Sequence, residues 1–242
     1  MSSAPIVLTK QLKIRSEHVN CFRKLRTSTL LRFLQEMSIA HTEELGMGRD
    51  KTLDKGLLWV ITRQNLSITR MPEYDETITL RSYPGEMMHL FFPRYYEILS
   101  GNEVIITAQA LWMLIDEKTR SFVFPEEYGI FIPGDPKHTE EIDRIPLRFP
   151  EQVSGLTESS YKTRFSQVDI NGHVNNACYF DMIEDLMPPE KCNITASLSI
   201  KAEYGNEIRP GEIVTIRSGY EASSLFFEGI GSKPKFRIKL DD

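Results

Sequence analysis

The chain has 242 residues, of which 40% are hydrophobic and 26% are charged. This composition is typical of a globular protein with a sizeable core, and it excludes a disordered, collagen-like or disulfide-stapled chain. Asp and Glu number 34 against 29 Lys and Arg, which gives a formal net charge of -5. That balance does not favour a nucleic acid as the partner.

The three cysteines, Cys21, Cys178 and Cys192, are widely spaced and form no Cys-x-x-Cys pair. We therefore expect free thiols in a reducing compartment, with no zinc site and no redox dithiol. The first residues lack the basic and apolar regions of a secretory signal, and the longest apolar runs are too short to span a membrane. These features predict a cytoplasmic protein without a membrane span.

An amphipathic helix is predicted near the N-terminus. Thr27 and Ser28 offer an N-cap, and Gly46 is placed to end the helix. Between them, apolar residues recur with helical spacing at Leu30, Phe33, Leu34, Met37, Ala40 and Leu45.

Strand signals follow this helix as far as about residue 116. The predicted strands are residues 57–61 continuing into 64–68, then 77–82, 91–99 and 104–115. Ser100-Gly101-Asn102 is typical of a hairpin turn between the last two. The first part of the chain therefore reduces to one helix and four antiparallel strands.

Residues 116–150 differ from the rest because five prolines and two pairs of acids interrupt them. This composition predicts a linker across the surface, with one short helix near Glu126.

The second half then repeats the first. We expect an extended segment over residues 161–170, a helix capped by Asn175 or Asn176 and stopped by Pro188-Pro189, and strands over residues 197–203 and 213–218. Residues 75–82 align with residues 211–218, and a proline-containing turn precedes each segment. The matching order of elements, together with the matching residues, indicates an internal duplication.

A helix with an antiparallel sheet, present twice, predicts an α+β fold of two hotdog units joined edge to edge as an intramolecular pseudo-dimer. The predicted boundaries are an N-terminal hotdog over residues 1–120, a linker over residues 121–152 and a C-terminal hotdog over residues 153–242.

The most informative polar residues are Asp169, Asn171 and His173, which alternate along the chain. In an extended segment, all three side chains would point to one face, close to the unpaired amides at the start of the next helix. The alternative is an Asx-rich turn in which Asn175 caps the helix and His173 is solvated. The corresponding first-half stretch, residues 20–26, lacks the triplet, which favours a functional role because a purely architectural turn should occur in both halves.

The string Asp169-x-Asn171-x-His173-Val174-Asn175-Asn176-x-x-Tyr179 resembles the signature of the acyl-acyl carrier protein thioesterases of plants and bacteria. Residues 59–63 and the string Leu198-x-x-x-x-Glu203-Tyr204-Gly205 resemble two further motifs of that family. The resemblance extends over almost the whole chain, and the family has a double hotdog fold, in agreement with the repeat.

The resemblance implies hydrolysis of the thioester between a fatty acyl chain and acyl carrier protein, without a cofactor or a metal. The residues carried over as catalytic are Asp169, Asn171, His173 and Glu203. Many members have a cysteine after the motif glutamate, where this chain has Tyr204. A phenol with an ordinary pKa near 10 is a poor replacement for a thiolate, so a water activated by a carboxylate is the better mechanism.

In that mechanism Glu203 is the general base, and His173 orients the water or protonates the leaving thiol. Asn171 holds the thioester carbonyl, and Asp169 orients His173 or Asn171. Backbone N–H groups of the substrate-binding residues Val174, Asn175 and Asn176 stabilise the oxyanion. Cys178, on the predicted second helix, is expected to be a core residue and not the nucleophile.

The acyl chain needs an apolar tunnel, which the resemblance places in the N-terminal hotdog. Candidate walls are the first helix and its sheet, with Trp59 as a substrate-binding residue: Leu30, Leu34, Met37, Trp59, Ile61, Leu66 and Ile68. Acyl carrier protein is acidic, and residues 10–32 contain seven basic residues against one acid, which makes this segment a candidate docking surface.

Three alternatives stay open at this point: an acyl-CoA thioesterase, another hotdog enzyme such as a dehydratase, and a non-catalytic acyl-binding module. The sequence also leaves open the acyl chain length and the oligomeric state, including a homodimer.

Overall fold

A computed structural model describes residues 6–138 and 142–241. Within these residues the first half contains α1 (Thr27–Glu44) and five strands: β1 (Leu8–Lys13), β2 (Leu57–Ile68), β3 (Thr77–Pro84), β4 (Phe91–Ser100) and β5 (Glu103–Asp116). The second half contains α2 (Cys178–Glu184) and five more: β6 (Ser154–Lys162), β7 (Leu198–Tyr204), β8 (Ile213–Glu221), β9 (Ser224–Ile230) and β10 (Pro234–Asp241).

All these strands belong to one antiparallel sheet with the order β1-β3-β4-β5-β2-β7-β10-β9-β8-β6. The two halves meet where β2 pairs with β7, with Leu66 opposite Ile200. From edge to centre, each half has the same chain-order pattern: first, third, fourth, fifth and then second of its own strands. The duplication inferred from the sequence is therefore visible in the topology, and the aligned segments 75–82 and 211–218 fall on the equivalent strands β3 and β8.

The helices pack against one face of this sheet, where they contribute to the main hydrophobic core. Leu30, Leu34 and Met37 of α1 are buried in the core, as their helical spacing predicts. The helix ends where Gly46 takes a left-handed φ of +76°, which a glycine adopts without strain. Helix α2 is shorter than predicted and ends at Glu184. None of the helices among the described residues is long and apolar enough to cross a bilayer.

The linker includes the predicted short helix, a 3-10 turn at Pro125–Tyr128. Further along, it packs against the sheet in a small cluster separate from the main core. Ile142 packs there with Tyr83, Tyr95 and Leu111, and Arg63 of β2 donates hydrogen bonds to the carbonyl oxygens of residues 143 and 145.

The structure differs from the sequence-based expectations at several places. Strands β1, β9 and β10 were not predicted. The extended segment expected over residues 161–170 is wrong beyond Lys162, because β6 ends there and a 3-10 turn at Phe165–Gln167 follows.

Candidate active site

Residues 168–174 form a tight hairpin turn instead of a strand. Val168 and Val174 pair as an isolated antiparallel bridge, and the Asp169 N–H donates to the His173 carbonyl oxygen at 2.9 Å. The Asp169 carboxylate accepts the N–H of Asn171 at 2.8 Å, which makes this an Asx turn. The predicted alternation of side chains along a strand is therefore wrong, although the turn still gathers the three polar residues.

The same turn occurs in the first half. Val19 and Leu25 form the equivalent bridge, the Asn20 N–H donates to the Lys24 carbonyl oxygen at 2.9 Å, and the Asn20 side chain accepts the Phe22 N–H at 3.0 Å. The backbone of this turn is therefore architecture that both halves share, and the missing triplet in residues 20–26 does not show that the turn itself is absent there.

What distinguishes the two copies is their side chains. Asn171 of the second turn corresponds to Phe22 of the first, and His173 corresponds to Lys24. At these two positions a carboxamide and an imidazole are thus present only in the second of two nearly identical backbone settings, which points to chemistry at the second turn.

His173 is paired with Glu207, a residue that the sequence motifs did not single out. The Nε2 atom of His173 lies 2.8 Å from a carboxylate oxygen of Glu207, and the imidazole side chain is only 12% exposed. The backbone brings the two together, because the N–H of Val174 donates to the carbonyl oxygen of Ile208 at 2.8 Å. Burial lowers the pKa of His173, and the negative charge of Glu207 opposes that shift.

Glu203, the predicted general base, lies elsewhere. Its carboxylate accepts hydrogen bonds from the Arg63 guanidinium and from the Leu147 N–H at 2.8 Å, and Glu203 does not line the cavity that contains His173. The expectation that Glu203 joins the other three residues is not met. The alternation of side chains along β7 predicts this position, since Ile200, Ala202 and Tyr204 face the core and Glu203 therefore faces away.

Asp169 and Asn171 have different surroundings. Burial raises the pKa of Asp169, and the hydrogen bond from the Asn171 N–H opposes this. The Asp169 carboxylate also lies 3.5 Å from the Asn175 amide nitrogen, so it orders the turn and does not bond the imidazole. The Asn171 carboxamide makes no hydrogen bond to any residue that the structure describes, and it lines the cavity.

The backbone amides proposed as oxyanion donors are mostly engaged. The Val174 N–H bonds Ile208, and the Asn175 N–H donates to the Gln167 carbonyl oxygen at 2.9 Å. Of the three predicted amides, only that of Asn176 has no acceptor within residues 6–138 and 142–241. The predicted cap by Asn175 or Asn176 is wrong, because α2 begins at Cys178 with Ala177 as its N-cap. The Asn175 side-chain oxygen instead accepts the Ala177 N–H at 2.9 Å, in a turn just before the helix.

A small cavity of about 90 Å³ lies over these groups. Its walls include all the predicted site residues except Glu203: Asp169, Asn171, His173, Val174, Asn175, Asn176 and Trp59. Glu207 and a second tryptophan, Trp112, complete this part of the lining. The site residues from the second half therefore face aromatic side chains from the first half.

A larger cavity of about 720 Å³ adjoins it and shares Trp59, Trp112, Asp169 and Asn171 among its walls. Most of its remaining apolar lining comes from the first half: Ile39, Met47, Leu53, Leu57 and Leu58. The residues predicted as walls are mostly core instead. Leu30, Leu34 and Met37 point into the packed interior, whereas the neighbouring stripe of α1 through Gln35 and Ile39 faces the cavity.

No cysteine is among the described residues that line either cavity. Cys178 is buried, its sulfur accepts a hydrogen bond from Arg32 at 3.3 Å, and burial raises the pKa of its thiol. Tyr204 is also unsuited to nucleophilic attack, because burial raises the pKa of its phenol and its hydroxyl donates to Gln64 at 2.7 Å.

A third cavity, of about 290 Å³, lies beside α2 and the segment 190–198, and none of the predicted site residues lines it. Among residues 6–138 and 142–241 there is also no group of three or more His, Cys, Asp or Glu side chains arranged to hold a metal ion.

Comparison with solved structures identifies the fold. The chain is similar to the acyl-ACP thioesterase from Bacteroides thetaiotaomicron, with a TM-score of 0.79 at 22% identity over 100% of this chain and 99% of that one. It is also similar to the 12:0-ACP thioesterase from Umbellularia californica, with a TM-score of 0.75 at 17% identity over 98% and 97% of the two chains. The fold is the double hotdog, two helix-wrapping sheets joined in one chain.

Sequence comparison gives the family. Residues 5–128 match the acyl-ACP thioesterase N-terminal domain, and residues 151–239 match the C-terminal domain. The protein belongs to the acyl-ACP thioesterase family.

Two plant relatives illustrate the distance within the family. The chloroplastic acyl-[acyl-carrier-protein] hydrolase FATB2 of Cuphea viscosissima is 23% identical over 98% of this chain and 60% of its own length. The chloroplastic dodecanoyl-[acyl-carrier-protein] hydrolase of Cinnamomum camphora is 25% identical over 98% of this chain and 69% of its own length. The chain thus spans about 60% of the length of the FATB2 relative.

Proposed function

We propose that this protein hydrolyses the thioester of fatty acyl-acyl carrier protein and releases a free fatty acid in fatty acid biosynthesis. The observation that carries the proposal is the His173–Glu207 pair, which lines a small cavity that adjoins a larger, mostly apolar one. Membership of the acyl-ACP thioesterase family and the names of the relatives support the same activity.

The pair supplies the base for a water molecule. With its Nε2–H donated to Glu207, His173 keeps the lone pair of Nδ1, an atom that has no hydrogen bond to a described residue. Because burial lowers the pKa of His173, the imidazole is neutral at neutral pH and can accept a proton from water. Glu207 then stabilises the imidazolium that forms.

The water oxygen bonds to the thioester carbonyl carbon, and negative charge moves to the carbonyl oxygen. The Asn176 N–H and the Asn171 carboxamide are the available donors for that oxyanion. When the carbon–sulfur bond breaks, the proton held on His173 passes to the leaving thiolate. Asp169 acts indirectly, because it fixes the turn that carries Asn171 and His173.

In this proposal the two halves of the chain have different roles. Residues 1–120 bind the acyl chain, residues 153–242 carry the chemistry, and residues 121–152 connect them. A cavity of about 720 Å³ lies within the size range of ligand pockets, and its apolar walls suit an alkyl chain with the thioester next to Asn171.

Acyl carrier protein is the proposed partner, and the basic segment 10–32 is its candidate docking surface. Three of its cations are already paired: Lys13 with Asp75, Lys24 with Glu73 and Arg32 with Asp181. The other four, Lys10, Arg15, Arg23 and Arg26, make no ion pair with a described residue and are the cations left for an acidic partner, although Arg26 donates a hydrogen bond to the Val19 carbonyl oxygen at 3.0 Å. The cytoplasmic location and the homodimer stay predictions from the sequence.

The test is free-thiol release from acyl carrier protein and from CoA, each with medium and long acyl chains. We expect Glu207→Gln and His173→Asn to lower kcat by on the order of 10²- to 10⁴-fold. Glu203→Gln is the matched control for Glu207→Gln, and it should keep its turnover per folded molecule. Cys178→Ala should also keep its turnover, because no cysteine of the protein takes part in the proposed reaction.

Each alternative has its own outcome. Equal turnover with CoA substrates would replace the carrier proposal by an acyl-CoA thioesterase. A loss in Glu203→Gln but not in Glu207→Gln would reverse the assignment of the carboxylate. No turnover on any thioester, with retained binding of acyl chains, would indicate a non-catalytic acyl-binding module.

A further inference from the structure

Arg120 reaches the reaction centre from the other half of the molecule. It lies in the turn after β5, where its N–H donates to the Asp116 carbonyl oxygen at 2.9 Å. The Asp116 carboxylate accepts the N–H groups of Lys118 and Thr119 at 3.0 and 2.7 Å, which fixes the turn. The N-terminal half therefore determines where Arg120 stands.

The backbone of Arg120 is in the left-handed region, with φ at +58°. A residue with a Cβ atom adopts this conformation at a cost of roughly 1 kcal/mol or more, and such residues concentrate at functional sites. The turn thus holds a long cationic side chain in a conformation that a glycine would adopt more easily.

The guanidinium contacts both members of the proposed catalytic pair. One terminal nitrogen lies 3.3 Å from a Glu207 oxygen, and the other lies 3.3 Å from Nε2 of His173. The two carboxylate oxygens of Glu207 have different partners: Oε1 faces Arg120, and Oε2 lies 2.8 Å from the imidazole nitrogen. Because Nε2 of His173 donates its hydrogen to Glu207, the approach of Arg120 to that atom is a contact between a cation and the imidazole and not a hydrogen bond. The planar guanidinium can bond the carboxylate and still keep its charge beside the ring.

We infer that Arg120 is a positioning residue for the hydrolysis: it holds the Glu207 carboxylate against His173 and thereby makes the C-terminal reaction centre depend on a turn of the N-terminal half. This inference rests on the proposed function for its kinetic consequences, but the contact itself can be tested without substrate. Arg120 does not need to touch the acyl group.

The charged groups around His173 determine whether the loss of Arg120 raises or lowers the pKa of the imidazole. Four charged groups face the imidazole: Glu207 and Asp169 raise its pKa, whereas Arg120 and Arg209 lower it, and burial is the largest cause of the lowered value. Loss of the Arg120 charge removes one cause of lowering and leaves Glu207 less neutralised. Both changes raise the pKa of His173.

The experiment compares Arg120→Gln and Arg120→Lys with Lys118→Gln, an exposed control on the same turn. Arg120→Asn is a second neutral variant, because asparagine tolerates a left-handed backbone better than glutamine does. The pKa of His173 is measured by NMR titration, with its signals assigned from the His173→Asn variant. The pH profile of kcat/KM and the separate values of kcat and KM are measured on acyl carrier protein substrates.

We expect both neutral variants to raise the pKa of His173 and to move the acid limb of the profile to higher pH. Their kcat at neutral pH should fall on the order of 10- to 100-fold with little change in KM, because Glu207 stays in contact with His173 but is oriented less precisely, whereas the acyl chain binds as before. Arg120→Lys should keep the pKa near that of the wild type and recover part of kcat, and Lys118→Gln should match the wild type.

An unchanged pKa of His173 in a folded neutral variant would overturn the inference. So would equal losses of kcat in Arg120→Lys and Arg120→Gln without any movement of the pH profile, since that pattern indicates a merely structural residue. If the wild type hydrolyses no thioester, the proposed function fails, whereas the NMR titration still decides whether Arg120 acts on His173.

Discussion

Arg63 and Glu203 form an ion pair across the junction of β2 and β7, where the two halves of the sheet meet. Both side chains are largely buried, with exposed fractions of 10% and 22%. The pair begins a row of alternating charges at directly opposed positions, in which Glu203 faces Arg237, Arg237 faces Glu228 and Glu228 faces Arg217. Glu203 therefore lies within a row of opposed charges on the sheet and outside the lining of the cavity that contains His173.

Glu203→Gln should lower the free energy of unfolding by about 1–3 kcal/mol, because it leaves the Arg63 guanidinium without its charged partner. Urea denaturation measures this loss, and turnover per folded molecule should stay unchanged. Glu158→Gln is the control, since Glu158 is exposed and opposes Arg217 at the far end of the same row. A Glu203→Gln protein with full stability and lost activity would contradict this account.

The duplicated turn gives a second prediction. Gly172 has a φ of +79°, and its counterpart Arg23 has a φ of +62°. A Cβ at Gly172 would meet no atom within 4 Å, so Gly172→Ala tests the backbone alone. We expect it to lower the free energy of unfolding by about 1 kcal/mol.

Arg23→Gly should have the opposite sign and raise the free energy of unfolding by about 0.5 kcal/mol, since the relieved strain exceeds the added freedom of the unfolded chain. Thermal or urea unfolding of both variants measures the two effects. Destabilisation by both substitutions would show that the two turns are not equivalent.

Much of the fold follows from patterns that the sequence displays openly. The apolar spacing of α1, the glycine that ends it and strands β2 to β5 are all where local rules place them. The repeat was detectable because β3 and β8 keep similar residues. Strand β1 escaped because it is a polar edge strand, with only Leu8 buried. Strands β9 and β10 can be predicted only when the repeat is extended to the end of the chain.

The site was harder, because it depends on contacts between segments distant in the chain. A hydrogen bond from Val174 to Ile208 brings Glu207 to His173, and no local rule predicts that bond. The prediction of Glu203 as the general base rests on a resemblance of motifs, although strand alternation alone turns its side chain away from the core. Arg120 lies still further from the motif, in the other half.

Asp169→Asn should make the protein more stable at neutral pH. Burial raises the pKa of Asp169, so the folded protein binds this proton more tightly than the unfolded chain does. Stability contributed by this group therefore falls as the pH rises above the ordinary pKa of 3.8 and through the raised value. Asparagine removes the charge and can still accept the Asn171 N–H.

We expect a gain of about 0.5–1 kcal/mol in the free energy of unfolding at neutral pH, of the kind often found at active sites. The gain should shrink as the pH falls through the raised pKa and below 3.8, where the carboxyl becomes protonated in both states. Urea denaturation across this pH range measures it, with the exposed Asp185→Asn as the control. A gain that does not vary with pH would refute the explanation by charge burial.

Ile39→Trp tests the acyl cavity. Ile39 lies on the stripe of α1 that faces the large cavity, and it is 39% exposed, so a larger side chain there fills space without disturbing the core. We expect kcat/KM for long acyl chains to fall about tenfold or more, whereas short chains should be little affected. Glu44→Trp, on an exposed position of the same helix, is the control for bulk. Equal losses for all chain lengths, or losses in both variants, would show that the acyl chain lies elsewhere.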